Sequence, residues 1–161
     1  MIDFTSASGT DRAYIAGMLD GEGSIMIIKG HTKGRPWSRA ASPDYTIRAA
    51  ITNTNKQVLD WIQSKCGGSV YSQPGSKGTW GPSKRPIWFW RISGPRATEF
   101  LSSVREFLQI KAPQAWLALE AREQFTSGRK GKGVALSAEE LALREGYYLA
   151  MKNLNAGTAG I

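Results

Sequence analysis

The chain has 161 residues, enough for one domain with a real core and too few for two of ordinary size. Its hydrophobic fraction is 41%, yet runs such as Ile25-Met26-Ile27-Ile28 fall far short of the roughly 18 residues that span a bilayer, so no membrane partner is expected. Cys66 is the only cysteine, which leaves no partner for an intramolecular disulfide and argues against cysteine-ligated zinc. Met1-Ile2-Asp3-Phe4 lacks the basic and apolar regions of a secretory signal, and a reducing, intracellular setting is the expectation.

Net charge is +8, and its distribution says more than its total. Between Ser24 and Arg96 there are 12 Lys/Arg against two acids, Asp44 and Asp60, while the remainder holds 9 basic and 11 acidic residues. All the excess positive charge therefore sits in one central region, the footprint of a polyanion-binding face. A generic basic surface is the alternative reading.

The first element is a helix opening at Thr10-Asp11, where either residue can cap, and stopping near Asp20-Gly21. Ser24 to Lys29 is isoleucine-rich and reads as a strand, and residues 30–43 read as a loop. Tyr45 to Asn53 is a second strand, with Tyr45, Ile47, Ala49 and Ile51 facing the core and Thr46, Arg48, Ala50 and Thr52 facing away. Lys56 to Cys66 is an amphipathic helix ended by Gly67-Gly68. A third strand near Ser69 to Gln73 leads into a hairpin loop at residues 74–78, and Pro86 to Ser93 is the fourth. Helices follow at about Arg96 to Phe107 and Pro113 to Phe125.

Residues 127–136 read as a basic, Gly-rich linker separating the core, 1–126, from a C-terminal helix and tail, 137–161, within a single domain. Ser137-Ala138-Glu139-Glu140 has the form of a capping box opening that helix. The order α-β-β-α-β-β-α-α with an extra C-terminal helix defines an α+β domain. Helices cover one face of its antiparallel sheet, and the other carries the basic residues.

The sharpest feature is Ile15-Ala16-Gly17-Met18-Leu19-Asp20-Gly21-Glu22-Gly23. Ala13, Gly17 and Gly21 recur every four residues and share one helix face. Such a stripe lets another helix approach until the backbones nearly touch, while Ile15, Met18 and Leu19 pack the core. Glu22 is expected just past the helix end. Two such helices side by side bring two Glu22 carboxylates together, and their repulsion calls for a cation between them. A divalent ion with hard oxygen ligands suits that role, Mg²⁺ by default. An ordinary amphipathic helix followed by an acidic turn is the plain alternative. A fragment of an EF-hand loop fits poorly, because its downstream ligands are missing.

These nine residues resemble the LAGLIDADG motif, and the resemblance extends beyond them. Ser24-Ile25, Ile51-Thr52-Asn53-Thr54-Asn55-Lys56, Gly67-Gly68, and Phe107-Leu108-Gln109-Ile110-Lys111 with Gln114-Ala115 resemble later segments of the same family, in order, over roughly residues 10–125. The resemblance implies the αββαββα half-saddle, whose concave sheet straddles duplex DNA. One motif copy implies a homodimer, with Ala13, Gly17 and Gly21 at its interface. It implies Glu22 and the Gly21 carbonyl as ligands of Mg²⁺ or another divalent ion such as Mn²⁺. Lys111 would stand near the scissile phosphate, and Asn53 would position the attacking water. Gln57 falls where some members carry a basic residue, a departure from the pattern.

The activity implied is metal-dependent hydrolysis of double-stranded DNA at a long, near-palindromic site, as in homing endonucleases. The family also includes intron-splicing RNA maturases, some of which no longer cleave, so a non-cleaving nucleic-acid binder is the second reading. On the concave face Thr46, Arg48, Tyr71, Gln73, Phe89 and Arg91 are candidates to read bases. Lys29, Lys33, Arg35, Arg39, Lys77, Lys84 and Arg85, on or beside loops, are candidates for phosphate contact. Trp61, Trp88, Trp90 and Trp116 are expected in the core, and His31 on the surface.

Overall fold

Helix α1 (Gly9–Glu22) opens with a reciprocal cap. The Asp11 N–H donates to Ser8 Oγ and the Ser8 N–H donates to the Asp11 carboxylate, both at 3.1 Å. The helix thus starts earlier than Thr10-Asp11, because Asp11 closes the box from the third helical position. It also runs further than expected. Glu22 is its last residue rather than the first beyond it, and Gly23 caps it by donating to the Leu19 carbonyl. The computed structural model describes residues 6–30, 43–73, 77–78, 81–82, 86–126 and 136–157.

Strands β1 (Gly23–Gly30) and β2 (Asp44–Asn53) follow, then helix α2 (Lys56–Cys66), capped by Asn55 accepting from the Val58 N–H. Gly67 and Gly68 end α2 with φ of 71° and 83°, a backbone that favours glycine. A side chain at Gly68 would also meet the Arg91 carbonyl at 2.7 Å. Strand β3 (Ser69–Gln73) comes next. The hairpin loop expected after it holds a short ribbon of its own, β4 (Lys77–Gly78) paired with β5 (Gly81–Pro82). Strand β6 (Ile87–Ser93) leads through α3 (Pro95–Val104) and a 3₁₀ turn (Arg105–Phe107) to α4 (Ala112–Thr126) and α5 (Ala138–Asn155).

The main sheet is antiparallel in the order β1-β2-β6-β3. Its alternation is the one the sequence predicts: Tyr45, Ile47, Ala49 and Ile51 are buried under the helices, with Ile25, Ile27, Trp90 and Ile92 beside them. Helices supply Ile15, Leu19, Leu59, Ile62, Phe100, Leu101 and Val104 to the same core. Trp90 anchors it, edge-on to Phe100 at 5.0 Å and donating Nε1–H to the Gly67 carbonyl at 2.7 Å. Trp61 and Trp88 pack partly buried against this core. Trp116 does not, being 58% exposed. The inward face of α4 is the row Ala115, Ala118, Ala121 and Phe125, and Trp116 lies off that row under Arg105.

Helix α5 is fastened to the same core. Met151 is buried, Asn155 Nδ2 donates to the Ile25 carbonyl at 2.9 Å, and the nearly buried Arg144 donates to the Phe125 carbonyl at 2.9 Å. Ser137 caps α5 by accepting from the Glu140 N–H. The other half of the expected capping box is replaced, since the Glu140 carboxylate accepts from Arg144 at 2.6 Å instead. No described helix is long and apolar enough to cross a membrane.

Candidate active site

The end of α1 is held against the sheet by a close approach. At Gly23 an added Cβ would lie 2.7 Å from the Leu19 carbonyl and 2.8 Å from the Ala50 carbonyl, so only glycine lets the helix turn directly into β1 there. Glu22, one residue earlier, is exposed at the turn. Its Oε2 accepts from Asn53 Nδ2 at 2.6 Å. Asn53 Oδ1 in turn accepts the Asn55 N–H at 2.8 Å, which fixes which way the amide points.

The third candidate arrives from the far side. The segment between the 3₁₀ turn and α4 is clamped by Asp20, whose carboxylate accepts from the backbone N–H of Gln109 and of Lys111, each at 2.8 Å. The Lys111 ammonium then donates to the Asp20 backbone carbonyl. Burial pushes the Asp20 carboxyl up. The backbone N–H groups of Gln109, Lys111 and Ile110 and the Lys111 charge outweigh it, and the group sits below its ordinary value. Glu22, Asn53 and Lys111 are thus gathered around the last turn of α1. Asp20 is the residue that sequence reasoning missed. Its signal was its place inside the motif, but its partners lie some 90 residues away, at Gln109 and Lys111.

Ala13, Gly17 and Gly21 are all exposed, and a Cβ added at Gly17 or Gly21 would meet nothing within 4 Å. The stripe is therefore open along the helix that ends at Glu22. Gln57 lies elsewhere, lining a surface depression with Thr10, Asp11, Tyr14 and Trp61 beside the N-terminal half of α1.

On the open face of the sheet, alternation and register bring together Thr46 and Arg48 of β2, Phe89 and Arg91 of β6, and Tyr71 of β3. Tyr71 and Phe89 stack, with centroids 5.4 Å apart and planes 13° from parallel. The Arg91 guanidinium lies over the Tyr71 ring at 5.1 Å. Arg48 Nε donates to Ser93 Oγ at 3.2 Å, and Thr46 donates to Asp44 at 3.3 Å. Gln73 pairs with Ile87 at the end of β3, and Lys77 lies on the small ribbon.

Lys29 is not on this face. It shares the parity of Ile25 and Ile27, and its ammonium meets Glu145 of α5 at 2.8 Å beside the rings of Tyr45 and Tyr148. The phosphate contact expected of Lys29 would compete with this partly exposed pairing to Glu145 on the helix-covered side of the sheet. His31, Lys33, Arg35, Arg39, Lys84 and Arg85 lie outside the described residues.

No family model and no curated protein matches the sequence. Solved structures do match. The homing endonuclease I-CvuI in complex with its target superposes with a TM-score of 0.65 at 17% identity, covering 99% of this chain and 87% of that one. The LAGLIDADG homing endonuclease I-SmaMI bound to cleaved DNA gives 0.60 at 13% identity, over 92% of this chain and 45% of that one. I-GzeII, a LAGLIDADG homing endonuclease in complex with a DNA target, gives 0.59 at 16% identity, over 88% of this chain and 43% of that one. The fold is that of the LAGLIDADG homing endonucleases. The chain spans less than half of the I-SmaMI and I-GzeII chains, and most of I-CvuI.

Proposed function

We propose that this chain is one subunit of a homodimeric, site-specific endonuclease that hydrolyses double-stranded DNA with a divalent metal. The observation that carries the reading is Glu22. It stands exposed at the end of a helix whose small-residue stripe is open, with Asn53 holding its carboxylate and Lys111 on the neighbouring carbonyl. The family resemblance and the DNA-bound neighbours support the same reading.

Dimerisation completes the site. The Asp20 carboxylate is taken up by two backbone N–H groups, and no group of three or more His, Cys, Asp or Glu suited to a metal exists among the described residues. One subunit thus supplies one available carboxylate at this point. Packing two stripes together, Ala13, Gly17 and Gly21 against their copies, would set two Glu22 carboxylates side by side.

The donors fit a hard cation: two Glu22 carboxylates and two Gly21 carbonyls, all oxygen, suited to Mg²⁺ or Mn²⁺. Such an ion, when bound, lowers the pKa of water and offsets charge on the leaving oxygen. Asn53 keeps the Glu22 carboxylate in one orientation. Lys111 brings a positive charge to the same turn, where it offsets charge developing on the phosphate. A near-palindromic target follows from two-fold symmetry.

The test is cleavage of a randomised duplex library with Mg²⁺, wild type beside Glu22→Gln. Cuts at one enriched, near-palindromic site, lost in the variant, are the expected result. Binding to a selected site with no cutting by either protein would overturn catalysis in favour of a non-cleaving binder, such as an intron-splicing maturase.

A further inference from the structure

We propose that Arg48 and Arg91 each read a guanine, the two bases lying within about three base pairs of one another in every half-site, with Ser93 and the Tyr71–Phe89 stack as positioning residues; this rests on the DNA-binding reading above.

The two arginines occupy the two central strands of the sheet, β2 and β6, away from its edges and loops. A sheet face laid on a duplex sets its central strands over the groove and its rim over the backbones, so central side chains meet base edges. The neighbours of Arg91 are small, Ala50 on one side and Ser69 on the other, and its guanidinium leans along the sheet onto Tyr71. Tyr71 is itself held by its stack on Phe89. The ring contact restrains the guanidinium, and among the described residues no hydrogen bond from Arg91 takes up its N–H groups.

Arg48 is held differently. Its Nε–H goes to Ser93 Oγ, which leaves the two terminal amino groups as the outward pair. Both arrangements present a planar, two-pronged donor with little rotamer freedom left to lose, matched to the two acceptors, O6 and N7, on the major-groove edge of guanine. No described carboxylate pairs with either arginine, and Asp44, at the end of the same face, is engaged by Thr46. Burial and then the nearby charge of Arg91 hold the Arg48 guanidinium below its ordinary value.

The register sets the spacing. Arg48 faces Ser93, and Arg91 faces Ala50, so the arginines are diagonal neighbours. Diagonal positions stand about 7–8 Å apart, close to two base steps of roughly 3.4 Å each.

The experiment is selection of bound duplexes from a randomised library by the full chain, comparing wild type with Arg48→Gln, Arg91→Gln, Tyr71→Ala and Tyr71→Phe. Wild type is expected to enrich two guanines at fixed positions, each favoured by about 10-fold to 100-fold. Arg91→Gln should lose the preference at one position only, moving it toward adenine, and Arg48→Gln should do so at the other. Tyr71→Ala should weaken the Arg91 position while sparing the Arg48 position, and Tyr71→Phe should restore it, because the ring and not the hydroxyl holds the guanidinium. A selected site without these guanines, or arginine variants that lose affinity equally on every sequence, would overturn the assignment while leaving DNA binding in place. Wild-type protein that enriches no duplex would overturn the endonuclease reading as well.

Discussion

Asn53 Nδ2 donates to Glu22 Oε2 at 2.6 Å, a bond that ties the end of β2 to the last turn of α1. Asn53 cannot turn its amide around, because its Oδ1 is engaged by the Asn55 N–H. Replacing Asn53 with Ala leaves the charge of Glu22 in place and removes what aims it. Single-turnover cleavage with Mg²⁺ should fall about 100-fold, with duplex affinity changing by no more than about 3-fold. A comparable loss of binding would mean that Asn53 shapes the DNA surface instead.

Gly17 separates folding from assembly. A Cβ there meets nothing in its own subunit, and glycine is a poor helix former, so Gly17→Leu should leave the subunit folded or slightly stabilise it, by up to about 1 kcal/mol. The same side chain would hold two α1 helices apart. Sedimentation should then report a monomer for the variant and a dimer for wild type, with an unchanged far-UV spectrum, and cleavage by the variant should vanish. A dimer that survives the substitution would place the subunit interface elsewhere.

How much of this was legible follows from the range of each interaction. The buried face of β2 is written in its own alternation, Tyr45, Ile47, Ala49 and Ile51, because a strand repeats every two residues. The small-residue stripe was legible because it repeats within one helix, whose end at Glu22 lies a residue or two beyond where the sequence suggested it. Asp20 was not, because its hydrogen bonds reach Gln109 and Lys111, which only the folded chain brings near. Trp116 misled because the inward face of α4 is built from alanines, so a tryptophan off that row looked like the natural core residue. Lys29 had the parity of a buried position, yet a lysine there made sense only once Glu145 of α5 arrived to meet it.

The Lys29–Glu145 pair has a pH signature. Glu145 is held below its usual 4.5, first by the Lys29 hydrogen bond and then by the Tyr45 hydroxyl. Lys29 is raised above its usual 10.5, chiefly by Glu145. A depressed carboxyl stabilises the fold above its unfolded value, and that stability is lost as pH falls through the lower folded value. A raised ammonium stabilises below its unfolded value, and loses that contribution as pH rises through the higher folded one. Wild type should therefore lose Tm more steeply than Lys29→Met below about pH 4.5 and again above about pH 10.5. Between those limits Lys29→Met should melt lower, and at neutral pH its duplex affinity should match wild type. A large fall in DNA affinity would restore Lys29 to the DNA surface.

Arg144 fastens α5 to the C-terminal end of α4. Its side chain is 4% exposed, it donates to the Phe125 carbonyl and to Glu140, and its guanidinium lies 4.9 Å from the Phe125 ring. Truncation to Ala would strand the Glu140 carboxylate, itself only 14% exposed, and leave the Phe125 carbonyl without this donor. Breaking a buried ion pair from one side costs about 3 kcal/mol, and urea unfolding of Arg144→Ala should show a loss near that size. The pair itself matters less than leaving half of it behind. The double variant Arg144→Met with Glu140→Leu, apolar on both sides, should therefore recover most of the loss. If the double variant were as unstable as Arg144→Ala, the bond to the Phe125 carbonyl, not the ion pair, would be what holds α5 in place.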